Sequence, residues 1–293
     1  MLPALRQILV RRVSHRALLR VAWGCLLAAL LAFAWGFWWE PQQLVVTRSE
    51  LRLPGWPRQL AGLQVALLSD LHIGSPFWDL PALDRLVERT NAEKPDLVLL
   101  AGDYQINDVP GGAFVTSEPI AKGLSRLKAP LGVFAVLGNH DWWNDGERTR
   151  KAFEAHGIKV LEENCQVLER AGTRFAVVGL ADQITRPSAP AAAMATAPPG
   201  LPTLLLVHEP DVFNEFPRLG VSPTLTVAGH THGGQVWLPV LGRRVVPSSF
   251  GERYAYGHVV ENGRHLYVTS GVGTSVLPVR FMVPPEIAML TLR

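Results

Sequence analysis

The chain has 293 residues, 48% of them hydrophobic, enough for one large core or for one core plus a membrane segment. Its formal charge of +3 is unevenly placed: Arg6, Arg11, Arg12, Arg16 and Arg20 lie within residues 1–20 with no acid among them, which leaves −2 for the rest. The folded part therefore presents no basic face for nucleic acid, and two cysteines as unlike in setting as Cys25 and Cys165 give no disulfide framework.

After this basic tail comes VAWGCLLAALLAFAWGFWW (21–39), 19 residues without a charge. As a helix it spans about 28 Å, close to the ~30 Å hydrocarbon core of a bilayer. Trp23 lies near one end and Trp35, Trp38 and Trp39 near the other, the placement of an aromatic belt. Ala32-Phe33-Ala34 offers the small-x-small site of a cleaved signal peptide, but such apolar cores run to about 7–15 residues. The expectation is an uncleaved single-pass helix. The residues after Arg11-Arg12 fit a twin-arginine export signal poorly. The arginine excess predicts an N-terminus in the cytoplasm, a helix in the inner membrane and a domain on the extracytoplasmic side. The chain thus divides into a basic tail (1–20), a transmembrane helix (21–39) and a domain (41–293).

From Pro41 onward strands and helices alternate. LQVALLSD (63–70), DLVLLAGD (96–103), GVFAVLGNHD (132–141), RFAVVGL (174–180), PTLLLVHEP (202–210) and PTLTVAGHTH (223–232) are short, nearly continuous apolar runs, as strands buried on both faces require. LPALDRLVERTNAE (80–93), SEPIAKGLSRL (117–127) and GERTRKAFEAHG (146–157) have helical spacing, the last closed by Gly157. The Ala/Pro-rich residues 181–200 read as a solvated loop or as a lid over a site. Beyond residue 235 hairpin patterns replace helices, with ERYAYGHVV and RHLYVTS on either side of ENG. The fold class predicted is α/β, two packed sheets flanked by helices.

Five of these six strands end in chemically similar residues: Asp70 and His72, Asp103, Asn139-His140-Asp141, His208-Glu209, and His230 with His232. Ligands in open α/β sheets bind beyond the carboxyl ends of strands, so the five ends should converge. Asp70 with His72, and His230 with His232, are two apart, and strand alternation would turn each pair to one side. Asn139 and His140 are adjacent and should diverge, one toward a metal and the other elsewhere. Two Asp, four His and one Asn are too many for one tetrahedral zinc and about right for two metals sharing a carboxylate. Mixed nitrogen and oxygen donors suit Mn, Fe or Zn better than Mg or Ca. Two dications against two carboxylates leave positive charge, which suits a phosphate oxyanion.

The ordered string D-x-H, G-D, G-N-H-D, H-x-P, G-H-T-H resembles the calcineurin-like metallophosphoesterases. GHTHGGQVWLP, LYVTSGVGTSVLPVRF and RLPGWPRQLAGLQVALLSDLHIG are similar to the family's membrane-anchored subgroup, so the resemblance covers residues 41–293. It implies a two-sheet sandwich with a dinuclear site at the strand ends. It further implies Asp70, His72 and His232 on the first metal, Asp103 bridging both, and Asn139, His208 and His230 on the second. His140 would then be the general acid, not a ligand. The implied chemistry is in-line attack on phosphorus by a metal-bridging hydroxide. Relatives in the subgroup include UDP-2,3-diacylglucosamine hydrolases and broad phosphodiesterases, so the expected substrate is a phosphodiester or pyrophosphate, lipid-linked or nucleotide-like. A phosphomonoesterase and a metal-binding scaffold without turnover are the alternatives.

Other positions carry paired readings. Asp141 either orients a neighbour of the metals or caps the next helix. Trp142, Trp143 and Trp237 contact acyl chains or pack; Gly233, Gly234 and Gln235 shape a pocket or a turn. Arg243, Arg244 and Arg280 bind a second phosphate or lie idle on the surface. His156, His258 and His265 have no motif around them and read as structural.

Overall fold

The structure is a computed structural model, and it describes residues 15–293. Arg6, Arg11 and Arg12 of the basic tail lie outside the described residues. The apolar run sits inside a longer helical segment, His15–Gln42, which is long and apolar enough to cross a membrane; its most apolar stretch is not buried, whereas Gly36, Glu40 and Pro41 at its end are. Its α-helical part, α1, is His15–Ala34, so the end of the basic tail is already helical. A π-helical turn, Trp35–Trp39, follows.

The domain then runs β1 (Val45–Leu51), β2 (Leu63–Leu68), α2 (Leu80–Ala92), β3 (Leu97–Ala101), α3 (Ser117–Leu124), β4 (Val133–Val136), α4 (Asn139–Ala155), β5 (Lys159–Val160), β6 (Asn164–Arg170) and β7 (Thr173–Gly179). It continues with α5 (Pro190–Ala195), β8 (Thr203–Leu206), α6 (Phe216–Leu219), β9 (Leu225–Ala228), the hairpin β10 (Gly257–Glu261) and β11 (Arg264–Val268), and β12 (Glu286–Leu292). Two six-stranded sheets result, in the orders β1-β12-β2-β3-β4-β5 and β10-β11-β9-β8-β7-β6. Strands β2 to β5 are mutually parallel, as are β7, β8, β9 and β11. The expected architecture, two packed sheets with flanking helices, is the one observed.

Strand alternation explains why the runs are apolar throughout. In β3, Leu97, Leu99 and Ala101 face the second sheet and meet Phe175, Val177, Leu204 and Leu206. Val98 and Leu100 face outward onto Leu83 and Leu86 of α2 and Ile120 of α3. Both faces are buried, so no polar face is possible. The outer face of the second sheet is covered by Phe213, Phe216 and Ala193. Ala193 belongs to α5, so residues 181–200 are a loop, half of it exposed, that carries one short helix seated on the sheet through Pro190 and Ala193. Asp79 caps α2, accepting from the Ala82 N–H at 2.9 Å.

Arg280 departs from the surface setting expected of it. It is fully buried, its guanidinium donating to the carbonyls of Ser270, Gly273 and Val283. It fastens the segment that carries the chain from β11 to β12. Arg280→Met should cost about 3–5 kcal/mol, because it strands these buried acceptors; Arg174→Met, on an exposed strand position, should stay within about 0.5 kcal/mol. Urea denaturation of the two variants in detergent checks the contrast.

Candidate metal centre

Six strands, β2, β3 and β4 of one sheet and β7, β8 and β9 of the other, deliver polar side chains just beyond their carboxyl ends. After β2 and β9, His72 Nε2 and His232 Nε2 lie 3.1 Å apart, and His232 Nε2 lies 3.5 Å from Asp70 Oδ1. After β4 and β8, His208 Nε2 lies 3.2 Å from both Asn139 Oδ1 and His230 Nδ1. Asp103, after β3, stands between the two groups, with Oδ2 at 3.7 Å from His72 Nε2 and 3.3 Å from His208 Nε2. The seven residues expected as ligands are brought together. Six of them are at most 4% exposed, and His230 is half-buried.

The strand ends are shorter than the sequence suggests, and this changes how the side chains are aimed. β2 stops at Leu68 and β9 at Ala228, so Asp70/His72 and His230/His232 lie in loops. Strand alternation therefore does not pair them. Asp70, His72, Asp103, His230 and His232 have φ of 52°, 41°, 58°, 69° and 52°. These are left-handed conformations that cost non-glycine residues about 1–3 kcal/mol each. Gly102 makes the close approach possible: a Cβ there would lie 2.7 Å from the Gly138 nitrogen and from His208 Nδ1.

Likewise β4 stops at Val136, and Asn139-His140-Asp141 form the first turn of α4. Successive side chains then diverge by about 100°. Asn139 turns to His208. The His140 ring packs between His72, at 4.7 Å, and Trp143, at 4.8 Å, while the His140 backbone N–H donates to Asp103 Oδ1 at 2.9 Å. Asp141 caps the helix and also holds the backbone beside Asp103. It accepts from the Gly138 N–H at the start of α4 and from the N–H groups of Asp103 and Tyr104, each at 2.9 Å.

The donor set fits divalent cations. A carbonyl can only accept, so His72 Nδ1, 3.1 Å from the Gln105 carbonyl, and His208 Nδ1, 2.7 Å from that of Ala101, carry protons. This leaves His72 Nε2 facing inward with a lone pair, while His208 Nε2 holds a proton against Asn139 Oδ1 and Asp103 Oδ2 that a bound cation would displace. Separations of 3.1–3.5 Å are those of donors sharing one ion at bonds of about 2.0–2.2 Å. Burial lowers His72 to about 3 and His230 to about 4, and holds His232 well below the ordinary imidazole range, so these imidazoles are neutral, as ligands must be. Asp70 is raised to about 6 by burial, against the pull of His208. Asp103 is held well below the carboxylate range although burial opposes it, because His208 stands beside it; His208 is raised in turn, against its own burial, by Asp103. Both shifts express one demand, for positive charge next to Asp103.

Sequence reading missed Asp182, which follows β7 at the same edge. It is fully buried, and its carboxylate lies with the His208 imidazole and the Glu209 carboxylate in a group whose donor atoms are within 4.8 Å of one another. The signal was there: RFAVVGL, the one strand without a polar end, is followed two residues later by an Asp.

Four of the candidate ligands, Asp103, Asn139, His230 and His232, lie on the floor of a cavity of about 740 Å³, lined also by His140, Trp143, Arg244 and apolar side chains within residues 236–246 and 276–279. Trp143 faces this cavity. Trp142 packs instead, with Nε1 donating to Glu162 at 3.1 Å and Arg186 over its ring at 4.2 Å. Gln235 serves as a clamp, accepting from the Ser275 N–H at 2.7 Å and donating to the carbonyls of Ser275 and Leu277. Arg243 donates to the Gly233 carbonyl, and His258 pairs with His265 away from the centre. No residue of 181–200 lines the cavity, so the structure gives that segment no lid position.

Comparison with known proteins agrees with this geometry. The profile of the calcineurin-like phosphoesterases matches residues 63–234. A Bacillus subtilis protein named uncharacterized metallophosphoesterase YkuE is 30% identical over 290 residues, covering 97% of this chain and 99% of the relative. The Escherichia coli phosphodiesterase YaeI is 30% identical, covering 96% and 99%. UDP-2,3-diacylglucosamine pyrophosphatase LpxG of Chlamydia trachomatis is 27% identical, covering 90% and 94%. By the matched profile and these near-full-length relatives, the chain belongs to the calcineurin-like phosphoesterase family and is a metallophosphoesterase, a hydrolase.

Proposed function

We propose that the chain is a membrane-anchored phosphodiesterase or pyrophosphohydrolase that works with two divalent cations, Mn, Fe or Zn. The observation that carries this reading is the position of Asp103, within 3.7 Å of a nitrogen from each of the two ligand groups. In this reading Asp70, His72 and His232 hold one cation, Asn139, His208 and His230 hold the other, and Asp103 reaches both. When bound, the pair supplies a water whose pKa falls from 15.7 to about 7 and positive charge for the phosphoryl oxygens.

The protein's own groups do the rest. The imidazoles and the two carboxylates would hold the cations at the cavity floor, where a phosphoryl group can reach them. His140 projects into the cavity beside the floor, with its Nδ1 lacking a hydrogen-bond partner, and it protonates the departing oxygen. Its backbone N–H on Asp103 ties that ring to the central carboxylate. The apolar upper cavity and the named activity of the LpxG relative support a substrate with a lipid part. The arginines before α1 support a domain outside the cytoplasm at the inner membrane, where a nucleotide-activated lipid made in the cytoplasm would not be met. The substrate class is therefore taken as a lipid-linked phosphodiester or pyrophosphate, and not one named compound.

The purified full chain with Mn²⁺, offered bis-aryl phosphate, mono-aryl phosphate and UDP-diacylglucosamine in parallel, tests the reading. Turnover fastest on a diester or pyrophosphate supports it; turnover confined to the monoester overturns it. His140→Ala should lower hydrolysis of alkyl phosphodiesters by about 10²–10⁴ while metal analysis still finds two ions per chain; an unaltered rate would remove His140 from its role. Asp103→Asn keeps a residue that tolerates left-handed φ but removes the shared charge. It should lose metal occupancy and rate together, and retained occupancy of two ions would refute the bridge.

A further inference from the structure

The two loops that wall the cavity also carry the domain's most exposed apolar side chains. Val240, Val245 and Val276 are 104%, 79% and 75% exposed, and Leu241 and Leu277 are about half exposed. Val240 and Val276 hold φ of 72° and 65°. A β-branched residue in this left-handed region is strained, and in water neither the strain nor the exposure stabilises the fold. Contiguous exposed apolar surface of this kind marks an interaction site.

The position of the membrane helix indicates what covers it. The Arg280 N–H donates to the Gly36 carbonyl at 3.0 Å, and the Met282 and Val283 N–H groups donate to the Glu40 carboxylate at 2.8 and 2.6 Å. Trp78 Nε1 donates to the Pro41 carbonyl at 2.9 Å. Gly36 is packed so closely that a Cβ there would lie 3.4 Å from Val279, Arg280 and Phe281. Val279 is also a wall of the cavity. One segment, 275–283, therefore contains cavity rim, cavity wall and the seat of the helix exit. Exposed Trp38 and Trp39 stand at that exit.

We propose that the cavity rim, with Val240, Leu241, Val245, Val276 and Leu277, docks on the surface of the bilayer that holds α1, so that the cavity opens onto lipid. The inference rests on the reading of α1 as a membrane anchor. The helix joint sets the domain's tilt, and the rim side chains sink into the interfacial zone as those of an interfacial amphipathic surface do. A lipid-linked phosphoester then enters along the membrane without leaving it, its apolar part against Val236, Leu238 and Val246 and its phosphate toward the floor.

The test uses the full chain with Cys25→Ser and Cys165→Ser, reconstituted in phosphatidylethanolamine–phosphatidylglycerol vesicles. Single cysteines replace Val240, Val276, Phe33 in the helix, or Arg174 at the far end of the domain, each labelled with an environment-sensitive fluorophore. Nitroxide lipid labelled high on the acyl chain should quench the labels at 240, 276 and 33 and leave that at 174 unaffected. Quenching at 33 with none at 240 and 276 overturns the docking and leaves the anchor standing. No quenching at 33 overturns both. A blue shift at 240 and 276 without quenching assigns the rim to a second copy of the chain and also overturns it. As a second reading, Val240→Asp with Leu241→Asp should lower hydrolysis of a dioleoyl-glycerophospho-p-nitrophenol probe in vesicles about tenfold relative to soluble bis-p-nitrophenyl phosphate, the equivalent of about 1.4 kcal/mol. An unchanged ratio contradicts the proposal.

Discussion

The Asp103 carboxylate is the contact on which the rest of the centre depends. It is almost wholly removed from water, with one oxygen near His72 and His208 and the other accepting the His140 N–H. Its own N–H, with that of Tyr104, is held by buried Asp141. An isolated carboxylate in such a place is costly to charge. The centre answers with His208, whose proton is retained far above the ordinary imidazole range while Asp103 stays ionised. Cations placed between the two donor groups satisfy the same demand with more charge, which is why the set reads as a metal centre and not as a buried polar network.

The architecture supplies that constraint from outside. Two sheets, each with parallel strands over its middle, direct six strand ends to one edge, and an apolar inter-sheet layer of Leu, Val and Phe fixes their spacing. The loops beyond those ends hold five of the seven candidate ligands in left-handed backbone conformations. Strain of this kind persists only where the surroundings over-determine it. Here the surroundings are close-packed strands, a glycine at 102 that lets His208 approach, and an arginine at 280 that fastens the return segment with its whole guanidinium. Rigid elements thus aim flexible side chains, the arrangement a preorganised site requires.

Much of this was legible from residue order alone. Six apolar runs, five of them with polar ends, and five histidines among those ends, were enough to place the candidate ligands at one edge and to predict the class of fold. The detail of aim was not legible. Asn139, His140 and Asp141 read as the end of a strand because an apolar run precedes them, whereas α4 begins at Asn139. The pairs two residues apart read as strand alternation, whereas left-handed φ values do the turning, and hydrophobic periodicity does not report left-handed residues. Asp182 escaped because its strand ends in Leu180 and the acid comes two positions later. Arg280 read as a phosphate ligand or a surface residue because long-range burial of a cation leaves no local pattern. Strands β1 and β12 needed partners distant in sequence, which pairing alone reveals.

The same segment that Arg280 fastens joins the centre to the helix at the N-terminus, so chemistry, cavity and anchor are one connected structure. The central claim remains that two cations held around Asp103 carry out the hydrolysis. Titrating metal-free full-length protein with Mn²⁺ while following hydrolysis of bis-p-nitrophenyl phosphate addresses it most directly. The account predicts a rate that rises until two ions are bound per chain and is flat beyond. A rate complete at one ion, or a protein holding two ions without turnover, would contradict it.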